Sequence, residues 1–204
     1  PSGGGSANFK AETLMATPLD FEKSVTELEA KIEELRHLNS SGGINIAEEV
    51  TRLQVMADRQ LRQTYAKLSP WQKVQVARHP NRPHALAYIK GLIDDFTPLA
   101  GDRQYGEDAA IVGGLGRFRG QSVVVLGHEK GHDTESRVRR NFGMSHPEGY
   151  RKARRLMGLA ERFHLPVVTF IDTPGAHPGI AAEERGQAEA IARAVEASLD
   201  LTVP

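Results

Sequence analysis

His128-Glu129-Lys130-Gly131-His132 matches H-E-x-x-H. In a zinc peptidase the two histidines of this run sit one helical turn apart and hold the metal, while the glutamate activates water. That chemistry needs a helix. Here the run follows Val123–Gly127, which is strand-like and closes on glycine, and it contains Gly131. Glycine costs ~1 kcal/mol in a helix interior. No third histidine follows at the Gly-x-x-His spacing. The run therefore reads as a strand-to-loop turn, and His128 and His132 are expected not to share a metal. A zinc protein built on these two histidines is kept as an alternative. Asp172-Thr173-Pro174-Gly175 looks like a GTPase switch motif, but neither a G-x-x-x-x-G-K-[ST] run nor Asn-Lys-x-Asp accompanies it. Gly113-Gly-Leu-Gly116 has the wrong glycine spacing for a dinucleotide fingerprint and leads into strand-like sequence.

Two glycine-bearing loops remain, Gly127–Gly131 and Thr173–Gly179, each after an apolar run expected to be a buried strand. Loops at the C-terminal ends of parallel strands line ligand sites. Glycine lets a ligand come close to main-chain N–H groups, and such groups stabilise an oxyanion without a titratable side chain. Tight turns use the same residues, so both readings stay open here. Pro174 has no N–H, so Gly175 and Ala176 are expected to carry the first free N–H groups beyond the strand.

These loops need elements to hold them. Val25, Leu28, Ile32 and Leu35 recur at helical spacing, as do Ile46, Val50, Leu53, Ala57 and Leu61. Asn39-Ser-Ser-Gly-Gly43 separates the stripes, which predicts an antiparallel helical hairpin over about 20–66. Ser69-Pro70 starts another helix, with a capping serine and proline at its first position, and His79-Pro80 ends it. A short helix is expected at about 84–94. The texture then changes. Ala109–Gly113 and Ser122–Leu126 read as a β-hairpin or two adjacent strands with bulges, and helices are expected near 134–141 and over 147–163. A buried strand is predicted over 166–172 and a helix over 182–199 with Ala188, Ile191, Ala192, Val195 and Leu199 facing inward. This order implies an α/β domain. The expected organisation is a flexible segment at 1–18, a helical region at 19–97 and the α/β domain at 98–204.

The 204 residues carry 26 basic and 26 acidic side chains and no cysteine. The balance argues against a general nucleic-acid binder, and the missing cysteines exclude thiolate-ligated zinc, iron–sulfur clusters and a thiol nucleophile. The apolar runs fall far short of the ~20 residues that span a bilayer, and the N-terminal stretch has no signal-peptide pattern. The neutrality hides a dipole. Acidic residues dominate 20–34, whereas Lys130, Arg137, Arg139, Arg140, Arg151, Lys152, Arg154 and Arg155 make 130–155 basic. That segment is expected to be either a solvated face or a basic rim for a phosphate-bearing ligand or an acidic partner.

Several ordered motifs carry a resemblance. They include Leu28-Glu-Ala-Lys-Ile-Glu33, Ala77-Arg-His-Pro80-Asn-Arg-Pro83, Leu99-Ala-Gly-Asp-Arg103 and Ala110-Ile-Val-Gly-Gly114. Gly127-His128 with Lys130-Gly131, Arg139-Arg-Asn-Phe-Gly-Met144, Pro147-Glu-Gly-Tyr-Arg-Lys-Ala153, Phe170-Ile-Asp-Thr-Pro-Gly-Ala176 and Ala182-Glu-Glu-Arg-Gly-Gln187 follow. Together, from Leu19 to about Leu199, they resemble the α-subunit family of bacterial acetyl-CoA carboxylase carboxyltransferases.

The resemblance implies a crotonase-like β/β/α spiral core, incomplete in this chain, behind a helical N-terminal region with a hairpin. It implies carboxyl transfer from carboxybiotin, presented by a separate biotin carboxyl carrier protein, to acetyl-CoA. The product would be malonyl-CoA for fatty acid biosynthesis. Partners would be a zinc-bearing β subunit and the carrier, in an α2β2 assembly in the cytoplasm, with no metal on this chain and no membrane or nucleic-acid role. Under the same resemblance Gly131, Gly175 and Ala176 are expected to present catalytic N–H groups, with His128, Lys130, Pro178 and Gly179 in the biotin-side loops. His128 and Asp172 would orient loops rather than move protons. The family continues beyond Pro204 into a Gly-rich loop, so the chain is expected to be the N-terminal part of a subunit, inactive alone. A non-catalytic docking module is the alternative. His132 and His177 stand where the family more often has other residues.

Overall fold

The computed structural model describes residues 18–39 and 46–204. The flexible segment expected at 1–18 and the loop expected at 39–43 lie outside these residues, apart from Pro18 and Asn39. The chain divides into two compact units, one ending at Arg82 and one running Pro83–Pro204.

In the first unit a 3-10 turn, Asp20–Glu22, leads into α1 (Lys23–Asn39), followed by α2 (Ile46–Ala66) and α3 (Pro70–Ala77). The apolar stripes meet as their spacing predicts. Ile32, Leu53 and Ala57 are buried together, with Leu28, Leu35 and Val50 packed against them. The direction is antiparallel, because the end of α2 returns to the start of α1. The Tyr65 ring meets Phe21 edge-on at 6.1 Å and its hydroxyl donates to Glu22 at 2.5 Å. Leu61, expected in the stripe, is instead partly exposed near this end. Ser69 caps α3 by accepting the Gln72 N–H, and the Gln72 side chain accepts the Ser69 N–H in return.

The second unit holds α4 (Ala85–Leu92), β1 (Asp94–Pro98), β2 (Ile111–Phe118), β3 (Gln121–His128), α5 (Thr134–Arg139), α6 (Pro147–Phe163), β4 (Val167–Phe170), α7 (Ile180–Glu184) and α8 (Gln187–Leu199). The strands form one sheet in the order β1-β2-β3-β4. β2 and β3 are an antiparallel hairpin closed at Arg119-Gly120, both at positive φ, as a two-residue primed turn requires. β3 and β4 are parallel, joined by a crossover through α5 and α6.

β3 explains its own apolar run. Successive side chains of a strand point to opposite faces, so Val123 and Val125 pack with Ile89 and Ile93, while Val124 and Leu126 pack with Leu156 and Ala160 of α6. Both faces are covered, and a strand buried on both faces has no polar alternation. Gly114 and Gly116 let the neighbouring chain cross closely: a Cβ there would stand 2.2 Å from Thr97 O and from Ile93 Cγ2.

Four expectations are corrected. The helix expected to reach residue 94 stops at Leu92, and β1 follows, pairing along β2 despite its two aspartates. The region expected to be helical over 19–97 is divided, because α4 packs on the sheet of the second unit. The strand expected to be buried over 166–172 is the shorter β4. Among the described residues its outer edge receives only the Pro204 carbonyl, from Val167 N–H at 2.8 Å, and Ile171 is 80% exposed. The helix expected over 182–199 breaks at Gly186, whose φ is +79. The inner face of α8 also differs from the expected one. Gln187 and Ala190 face inward, and Ala188, Ala192, Val195 and Leu199 are exposed.

Candidate functional site

β3 and β4 end side by side, with Gly127 paired to Phe170. Residues 129–133 and 171–179 therefore emerge from the same end of the sheet. Lys130 Nζ lies 2.7 Å from Asp172 Oδ1 and ties one loop to the other. A third segment enters between them. Asn141, Phe142 and Gly143 all have positive φ (46°, 55° and 80°), a left-handed turn that is costly for the two non-glycine residues. Gly143 packs on Lys130, since a Cβ there would sit 2.6 Å from Lys130 Cγ. The Thr173 hydroxyl lies 2.6 Å from Gly143 O, to which it donates, and accepts the Gly175 N–H at 3.1 Å.

Beyond Gly175 the chain runs parallel to Ser145 at Ala176. His177 N–H donates to Ser145 O at 3.0 Å. Gln187 Nε2, at the start of α8, donates to Ser145 O at 2.8 Å and to His177 O at 3.2 Å. Asn141 Nδ2 lies 2.7 Å from Met144 O and 2.8 Å from His177 Nδ1. The His146 and His177 rings lie 4.3 Å apart. Burial pushes the His146 imidazole below its usual pKa, with Asp108 acting in the opposite direction. Ser145 Oγ and Gln187 Oε1 are buried here without a hydrogen-bond partner among the described residues.

The residues singled out from the sequence fare differently. Gly131 N–H is not free: it donates to Glu129 Oε1 at 3.0 Å. Glu129 Oε2 accepts the Leu86 N–H at 2.9 Å. His84, the N-cap of α4, makes no side-chain capping bond, so the glutamate of the H-E-x-x-H run caps α4 from outside. The run itself lies on a strand end and a loop, and His132 is exposed, with Nε2 3.0 Å from Asp133. Gly175 N–H is also engaged, by Thr173 as above. Ala176 N–H has no partner among the described residues. His128 ends β3, and burial lowers its pKa while Asp172 opposes the shift. It lines a cavity of about 320 Å3 with Tyr150, Met157, Phe170, Ile191 and Val195. Pro178 is exposed, and Gly179 is the N-cap of α7.

Much of the basic segment is turned inward. Arg151 Nε lies 2.7 Å from Asp102, within a network that continues through Glu148 to Arg185. Lys152 is buried against Glu107 and donates to Asp108 O at 2.9 Å. Arg140 and Arg155 donate to the carbonyls of Ala109, Ala100 and Gly101. These groups hold the loop over 100–109 onto α5 and α6 rather than forming a rim. Among the described residues no group of three or more His, Cys, Asp or Glu could hold a metal ion. No described helix is long and apolar enough to cross a membrane.

The Thr173–Gly175 bond joins a side chain to the N–H two residues on, a local turn that threonine favours, so it was within reach of sequence reasoning. Asn141, Ser145 and Gln187 carried no such signal.

The sequence model of the family described as acetyl co-enzyme A carboxylase carboxyltransferase-like matches residues 18–204. The chain belongs to this family. Among carboxyltransferase relatives, the acetyl-coenzyme A carboxylase carboxyl transferase subunit alpha of Paramagnetospirillum magneticum is 66% identical over 186 residues, covering 91% of this chain and 59% of the relative. The protein of the same name from Rhodospirillum centenum is 70% identical over the same shares. The chain thus spans about three-fifths of the length of these carboxyltransferase subunits. Of solved structures, the transcarboxylase 12S crystal structure with hydrolysed methylmalonyl-coenzyme A bound has a TM-score of 0.50. It is 22% identical, covering 61% of this chain and 23% of that one. That likeness is one of fold, and the α/β core is crotonase-like.

Proposed function

We propose that this chain is the α component of an acetyl-CoA carboxylase carboxyltransferase. It serves the transfer of a carboxyl group from carboxybiotin, borne by a biotin carboxyl carrier protein, to acetyl-CoA. The product is malonyl-CoA, which feeds fatty acid biosynthesis in the cytoplasm. The observation that carries this reading is the 62–70% identity to carboxyl transferase alpha subunits over more than nine-tenths of the chain. The partners are a zinc-bearing β subunit and the carrier, in an α2β2 assembly, and this chain alone has no turnover.

Carboxybiotin supplies an activated carboxyl group when bound. The chain's own part is to orient it and to hold developing negative charge. Ala176 N–H is a main-chain donor of the second loop without a partner among the described residues, which suits an oxyanion. Gly175 shapes the turn before it, and Thr173 secures that turn. Gly131 and Glu129 fix the first loop, and Lys130 adds a positive charge held in place by Asp172. His128, whose pKa burial lowers against the opposing charge of Asp172, borders the biotin side with Pro178 and Gly179. The test is malonyl-CoA formation by this chain together with the β subunit and biotinylated carrier. Turnover in the three-part mixture, and none when this chain is left out, is the expected result. Equal turnover without the chain would refute the reading.

A further inference from the structure

We propose that His177 is a substrate-contacting residue of this site, presenting its Nε2–H as a hydrogen-bond donor to the oxygen that gains negative charge on the biotin side. The inference rests on the carboxyltransferase reading above.

A main-chain carbonyl can only accept, so the Asn141 atom 2.7 Å from Met144 O must be the amide nitrogen. Both hydrogens of that nitrogen are donors. The same atom lies 2.8 Å from His177 Nδ1, so Nδ1 must accept. A neutral imidazole that accepts at one nitrogen carries its proton on the other. A carbonyl 33 residues earlier in the chain thereby sets the histidine tautomer, through Asn141.

The rest of His177 is held just as firmly. Its N–H donates to Ser145 O, its carbonyl accepts from Gln187 Nε2, and its ring lies against His146. Every polar atom of the residue is engaged except Nε2, which has no partner among the described residues. Gly179 passes close beside the ring and must lack a side chain to do so: a Cβ there would stand 2.4 Å from Nε2. His177 follows directly on Ala176, whose N–H is also unpartnered. The loop thus offers two neutral donors, one from main chain and one from a side chain, neither of which needs to titrate. The chemistry such a pair recognises is a carbonyl-type oxygen of ureido or carboxylate character.

Two measurements test this. Nitrogen-15 NMR of histidine-labelled protein reads the tautomer, and His177 is expected as Nε2–H at neutral pH. In the assembled carboxyltransferase, His177→Phe keeps a ring against His146 but removes the donor. It is expected to lower kcat on the order of 100-fold with little change in KM for acetyl-CoA. His177→Gln, whose amide nitrogen reaches a similar position to Nε2, is expected to recover most of the loss. A purely structural role would not favour Gln over Phe. Finding His177 as Nδ1–H, or a Phe variant with wild-type kcat, overturns the proposal while the function stands. A wild-type assembly that makes no malonyl-CoA sinks the function, and this proposal with it.

Discussion

Lys130 and Asp172 face each other across the ends of two parallel strands, ammonium to carboxylate at 2.7 Å, 42 residues apart in sequence. The pair is partly exposed, at 27% and 36% for the two side chains. Ion pairs so placed contribute roughly 0–1 kcal/mol. Its value lies in joining the loops. Lys130→Met and Asp172→Asn are each expected to leave the urea midpoint nearly unchanged. Each is expected to reduce carboxyl transfer by between about 10- and 100-fold, since small misplacements of reacting groups cost that much. A loss of turnover that tracks a loss of stability would show the pair to be scaffold only.

Gly131 is expected to tolerate no side chain. Its φ is +78°, and a Cβ would stand 2.5 Å from Ser136 C and 2.6 Å from Arg137 N, both backbone atoms at the α5 start. Neither can rotate away. Gly131→Ala should destabilise the fold by about 2 kcal/mol or more, from strained backbone and overpacking together. Chemical denaturation of the variant would read this directly, and a shift below about 0.5 kcal/mol would contradict it.

Thr173 should separate from its isosteres. Thr173→Val removes the bonds to Gly143 O and Gly175 N–H, whereas Thr173→Ser keeps both. Each neutral bond is worth about 1 kcal/mol net. The valine variant is therefore expected to lose about 1–2 kcal/mol of stability and to show faster amide exchange at Gly175. The serine variant should stay close to wild type. Equal exchange rates in all three proteins would remove Thr173 from the account of the turn.

Acid stability should depend on Asp102. Burial works to raise its carboxyl pKa, but Arg151 and the N–H groups of Gln104, Tyr105 and Gly106 outweigh it and hold the group well below the usual carboxylate range. A carboxyl with a depressed folded pKa contributes its stability above the unfolded value, near 4, and loses it as pH falls through the folded value. Glu148 is shifted downward too, by Arg185 against the effect of burial. Stability measured from pH 6 downward should thus decline mainly below about pH 4. Asp102→Asn should lose about 3 kcal/mol at neutral pH, because Arg151 stays largely buried with one of its three partners gone. The variant should also show a flatter acid limb. An unchanged limb would assign the acid transition to other carboxylates.

The elements were largely legible because their causes are local. The hairpin stripes, the Ser69 cap of α3, the β2–β3 hairpin and the span of α6 follow from periods of 3.6 and 2 and from capping residues. The inner face of α8 was misjudged because alanine and apolar residues run around most of that helix, and only packing against α6 chooses among them. β1 was missed because Asp94-Asp95 disfavours a strand, and only pairing with β2 overrides that preference.

By itself, then, the sequence determined the order and type of most elements, the family, and the two loops that matter. Tertiary structure alone decided which polar atoms in those loops remain available. Lys130 is held by a residue 42 positions away, and the His177 tautomer is set from a turn 36 positions away. Much of the basic segment is engaged by carboxylates and carbonyls of the same unit. Periodicity reports which face of an element avoids water, a property averaged over many residues. Whether a single N–H is free depends on one partner within about 3 Å, and that partner is chosen by how distant segments pack.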